Sequence, residues 1–166
     1  MLSLCVFLII ACVYDYRDRR IPNGLVGLMA VYGAVWGVLS RGIWGLCFWL
    51  GGTAIMMALL YPLFKIGSMG AGDVKLFGVT AGYLPFKKVL FFLFFSLLVA
   101  AMISLMKMWK EKNFSRRMRY LSDYFVTVYR NGRWQMYPNK EDRHREGICL
   151  SGPILIGILL YLGGVY

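Results

Sequence analysis

Tyr14-Asp15-Tyr16-Arg17-Asp18-Arg19-Arg20-Ile21-Pro22-Asn23 closes one apolar run, residues 1–14, and opens the next, residues 24–40. An apolar segment ends in a carboxylate, three arginines follow, and a proline starts the chain back. Proline suits the first turn of a helix, and the residue before it is biased toward extended structure, so Ile21-Pro22-Asn23 reads as a sharp exit and re-entry. That pattern describes two helices joined at a charged membrane surface.

Working outward, further apolar segments cover residues 43–64, 73–86, 89–106 and 148–166. A membrane span needs about 20 apolar residues, about 17 at the short end. The second, third, fifth and sixth segments qualify. The first and fourth are short, and each carries an aspartate, Asp15 or Asp73. They reach full length only if the neighbouring polar residues lie in the span or in a water-filled recess. The chain of 166 residues is 59% hydrophobic, with a mean hydropathy of +0.60, well above a soluble domain of this size. The expected fold is all-α: one membrane-embedded domain over residues 1–166, a bundle of six transmembrane helices with one large basic loop at about 107–147.

Basic residues orient the bundle. Arg17, Arg19 and Arg20 follow the first segment, Lys65 follows the third, and eleven Lys/Arg fall between Lys107 and Gly147. The opposite side holds only Arg41, Lys87 and Lys88. With six spans, the positive-inside rule places the large loop in the cytoplasm and both termini outside, in the plasma membrane. Asp15 and Asp73 then both come to the cytoplasmic end. The net charge of +11 would suggest nucleic acid in a soluble protein; distributed this way it serves topology and the lipid surface instead. A secretory signal peptide would put its charges before the apolar stretch, and here they come after it.

Within the loop, Phe114, Met118, Leu121 and Phe125 recur at helical spacing among arginines, as in a helix lying on an anionic membrane face. Asn131-Gly132, between 125–130 and 133–137, signals a β-hairpin. Cys5, Cys12, Cys47 and Cys149 show no CxxC or Cys/His ligand spacing, so neither a metal, a cofactor nor a disulfide framework is expected.

The chemistry concentrates in the two aspartates. A carboxylate at membrane depth costs several kcal/mol, which makes it a functional candidate, and the chain has only 8 acidic residues. Gly70-Ala71-Gly72-Asp73 puts two glycines before an acid at a helix start. Glycine opens backbone conformations closed to other residues and allows close approach of another chain. A substrate helix drawn into an extended strand would use that. An ordinary loop-to-helix junction with Asp as N-cap fits the same four residues, and Asp15 also fits a boundary residue paired with Arg17 or Arg19. Asp18, among arginines, belongs to a solvated ion-pair cluster. If Asp15 and Asp73 meet, they would share one proton, one acting as general base on water and the other as general acid. Their own helix dipoles favour Asp73 as base and Asp15 as acid. Lys75 stands near the same face, placed to tune the pair or to contact lipid phosphate.

Asp15 with Ile21-Pro22-Asn23, and Gly70-Ala71-Gly72-Asp73-Val74-Lys75-Leu76 downstream, resemble the type IV prepilin peptidases, among the GxGD membrane aspartyl proteases. Ser151-Gly152-Pro153 resembles the Gly-Pro near the last span of that family. The resemblance implies Asp15 and Asp73 as catalytic pair, with Gly70, Gly72, Lys75, Pro22 and Pro153 as motif support. It also implies prepilins or pseudopilins as substrates, cut after a short basic leader, usually following Gly, at the cytoplasmic face. Bifunctional members add an N-terminal region with CxxC motifs and methylate the new N-terminus. This chain, opening directly on an apolar run without CxxC, resembles the short cleavage-only forms of tight-adherence and archaeal preflagellin systems. Two other classes compete: a non-enzymatic membrane subunit of a pilus or secretion assembly, and a small proton-coupled transporter. The second would usually show inverted repeats and groups near the bilayer midplane.

Overall fold

The computed structural model describes residues 2–110 and 149–166, all of whose regular structure is helical. The expected surface helix beyond residue 110 and the hairpin at 125–137 lie outside the described residues. Five helices follow in order: α1 Leu2–Asp18, α2 Asn23–Lys65, α3 Ala71–Gly82, α4 Phe86–Lys110 and α5 Ser151–Leu162.

α2 is a helical hairpin. Arg41 and Gly42 leave helical geometry, Gly42 at φ 63° in the left-handed region that glycine enters freely. Either side of this break the arms fold back on each other. A Cβ on Gly45 would collide with the Gly37 carbonyl, and one on Gly33 with the Trp49 indole. Residues 33 and 49 could not touch along a straight helix, where 16 steps of 1.5 Å would hold them about 24 Å apart. The boundary between apolar segments 24–40 and 43–64 is therefore this turn. The second arm ends at Gly67, φ 80°, where Ser68 N–H donates to the Leu63 carbonyl and Gly67 N–H to the Phe64 carbonyl. This double closure of a helix C-terminus delivers the chain directly to Gly70.

Among the described residues two helices are long and apolar enough to cross a membrane, Asn23–Lys65 and the Phe86–Lys107 part of α4. α3 and α5, at 12 residues each, are about 18 Å long and shorter than a hydrocarbon core. Leu39, Trp44 and Phe94 are 76%, 71% and 61% exposed, among many large apolar side chains on the outside of the bundle. A water-facing surface would not carry so many, and a lipid-facing one would.

Inside, the buried positions follow helical spacing. Leu4, Leu8, Ala11 and Asp15 form one stripe on α1, and Ser151, Ile154 and Ile158 form one on α5. α3 packs most extensively on α2, with Gly52 against the Ala81 carbonyl and the Tyr83 hydroxyl donating to the Met29 carbonyl at 2.7 Å. α5 packs on α4 and α1. Only sparse contacts join these two groups, among them α3 with α5 and α1 with α2.

Candidate functional site

Asp15 ends the buried stripe of α1, so its carboxylate points inward and is 6% exposed. Its surroundings come from α5. Ser151 Oγ–H donates to Asp15 Oδ2 at 2.6 Å, and the Ser151 backbone N–H donates to the same oxygen at 3.3 Å. Leu150, the N-cap of α5, offers no side-chain cap. Asp15 fills that role from another helix, satisfying an orphan N–H at the positive end of the α5 dipole. Pro153, buried in the same first turn, has no N–H to leave unpaired. The Asp15 backbone carbonyl accepts from Arg19 N–H at 3.1 Å and from the Cys149 thiol at 3.4 Å.

Asp73 sits in the first turn of α3, three residues past its N-cap Gly70, and accepts a hydrogen bond from the Gly70 N–H. It is thus the N3 acid reaching back to the cap backbone, not the N-cap itself. It is half-buried and lies within electrostatic reach of Asp15. Cys149, two residues ahead of α5, marks where the elements converge. It lies within electrostatic reach of Asp15, Asp73, Arg19 and Lys107. The ends of α1 and α4 and the starts of α3 and α5 therefore share one end of the bundle.

The other motif residues join the same end. Gly72 faces Ile21, 3.6 Å from the position its Cβ would take. Lys75 Nζ donates to Asn23 Oδ1 at 3.2 Å, tying the start of α3 to the start of α2. Pro22 stands at the N-cap of α2, one residue earlier than expected, extended at φ −61° and ψ 128°, its carbonyl accepting from Leu25 and Val26. Asp18 is exposed. Neither motif glycine is there for conformational freedom. Gly70 has an ordinary extended φ of −74° and Gly72 is helical; what Gly70 supplies is room, since a Cβ there would lie 2.9 Å from Asp73 Oδ2. The helices bearing the two aspartates do not pack mainly on each other: α1 rests mainly on α5, and α3 mainly on α2.

As part of Ser151-Gly152-Pro153, Ser151 carries no role that sequence alone makes legible. Nothing in sequence spacing says which carboxylate a serine at the start of an apolar segment will face. Among the described residues no group of three or more His, Cys, Asp or Glu could hold a metal ion.

A buried carboxylate and a second one within its field, at one end of an apolar helical bundle, form an arrangement able to activate water. A family model, the type IV leader peptidase family, matches residues 2–105, a stretch that includes both aspartates. The chain belongs to that family, which makes it a membrane-associated peptidase. No curated protein and no solved structure matches it.

Proposed function

We propose that this chain is an aspartic endopeptidase of the plasma membrane that removes the basic leader from type IV prepilin or pseudopilin precursors at the cytoplasmic face. Asp15 and Asp73 are its catalytic pair. Family membership supports the leader-peptidase activity and a prepilin-type substrate. The observation that carries the aspartic mechanism is the buried Asp15 carboxylate within electrostatic reach of Asp73. Two carboxylates in one low-dielectric site cannot both ionise easily, so they would share a proton. One carboxylate then takes a proton from water as that water attacks the scissile carbonyl. The other donates its proton to the carbonyl oxygen.

In this reading the chain crosses the bilayer six times, counting α2 twice, with both termini outside. The dyad faces the cytosol, where Arg17, Arg19, Arg20 and the basic loop also lie. A basic leader would stay on that side by the same charge rule that sets the topology.

The test is cleavage of a purified prepilin by protein reconstituted in liposomes. Asp15→Asn and Asp73→Asn should each lower kcat by about a thousandfold or more while the protein inserts and melts normally, because either change removes one half of the proton transfer. Asp18→Asn should cleave at the wild-type rate. Full cleavage by either dyad variant would remove the aspartic reading and leave a leader peptidase of another mechanism.

A further inference from the structure

We propose that Ser151 is a positioning residue that holds Asp15 as the proton acceptor of the pair, leaving Asp73 to carry the shared proton. This rests on the dyad reading above and extends it to the roles of the two acids.

Ser151 Oγ–H and Ser151 N–H both donate to Asp15 Oδ2. An oxygen that accepts from two donors does not bear a proton, and both bonds are stronger to a charged carboxylate than to a neutral acid. Ser151 is 1% exposed, so water does not compete for its hydroxyl. The start of α5 adds its positive dipole end to the same carboxylate. Asp73 accepts from the Gly70 backbone N–H and, among the described residues, from no hydroxyl. The expectation from each aspartate's own helix, with Asp73 as base, is thereby reversed, because the helix that matters to Asp15 is α5 and not α1.

The resulting cycle balances. Water adds to the scissile carbonyl carbon, its proton passes to Asp15 Oδ1, and the Asp73 proton passes to the carbonyl oxygen, giving a gem-diol. The carbon–nitrogen bond then breaks as the leaving amine takes the proton from Asp15. A gem-diol hydroxyl returns a proton to Asp73, and both acids regain their starting states. Ser151 keeps its proton throughout.

The charged and titratable groups around Asp15 are Asp73 on α3, Cys12 on α1 and Cys149 ahead of α5, with Arg19 and, from α4, Lys107 acting on Cys149 beside it. None is changed by substitutions at Ser151. The experiment compares Ser151→Ala, Ser151→Cys and Ser151→Thr with Asp15→Asn and Asp73→Asn in proteoliposomes, using a purified type IV prepilin. Ser151→Ala is expected to lower kcat at least tenfold with KM within twofold, and to move the acid limb of the kcat–pH profile to higher pH. Thr keeps the hydroxyl and should restore most of the rate. Cys matches Ser closely in volume but donates weakly, so it should fall between Ser and Ala.

Wild-type rates for both Ala and Cys, with the Asn variants inactive, would overturn the role of Ser151 and leave the dyad intact. Full rescue by Cys would show that Ser151 only fills space. Movement of the alkaline limb instead of the acid one would make Asp15 the proton donor. An active Asp15→Asn would overturn the dyad reading itself.

Discussion

Gly70→Ala separates the fold of this site from its function. The backbone at Gly70 is extended, φ −74° and ψ 151°, a conformation alanine adopts without strain. Among the described residues beyond its chain neighbours, an added methyl would meet within 4 Å only the Asp73 carboxylate, with Oδ2 at 2.9 Å and Cγ at 3.8 Å. Relief to ordinary contact requires Oδ2 to retreat by about half an ångström, and catalytic groups must be held to about that tolerance. The carboxylate is the mobile end of a side chain, so this movement costs little stability. It does draw Asp73 away from the Gly70 N–H and from its place beside Asp15. Misplacement by about 1 Å costs on the order of a hundredfold in rate, so a loss of about ten- to a hundredfold in kcat is expected for half that distance or more. Gly72→Ala is the control. Its Cβ would lie 3.6 Å from Ile21, in ordinary contact, and should leave kcat within about threefold. The assay is prepilin cleavage in proteoliposomes, with kcat and KM measured separately and the melting temperature followed in the same samples. An unchanged kcat for Gly70→Ala, or an equal loss for Gly72→Ala, would refute the claim that Gly70 is there to make room for the acid.

Two further outcomes are expected. Gly157→Ala would drive a methyl into Ser96 Oγ and against Phe92, and should destabilise the α4–α5 contact by about 1–3 kcal/mol in an unfolding titration. Adding Ser96→Ala should recover much of that loss, since the Ser96 hydroxyl is buried without a hydrogen-bond partner among the described residues. Lys75→Gln, at an exposed hydrogen bond to Asn23, should change stability by less than about 0.5 kcal/mol and leave the pH dependence of cleavage in place.

Much of the scaffold was legible in the residues. The polar break at residues 41–42 marks the hairpin turn, whereas the inward stripe of Leu4, Leu8, Ala11 and Asp15 cannot be picked out of a run that is apolar almost throughout. Arginine and lysine positions put both aspartates at one bundle end, and the end of α1 and the start of α3 do converge around Cys149. What sequence could not supply were the partners. A helix dipole can be assigned to the residue that ends it, but the field on Asp15 comes from the start of α5, more than 130 residues away, and only packing reveals it. The tie between Lys75 and Asn23 is invisible for the same reason. The motif glycines suggest backbone freedom or close approach; the angles at Gly70 require no such freedom, and there it is the missing Cβ that makes room.

The helices divide into two packed groups, α2 with α3 and α1 with α4 and α5, and the two aspartates ride on different ones. The gap between them is therefore set by how one block seats against the other, without any helix needing to bend or unwind. A slide along that seam would part the acids together with everything each one leans on: Ser151 and the α5 start on one side, Gly70 on the other. Seal the seam with a covalent staple and each half-site should remain well formed while turnover loses whatever depended on their relative travel.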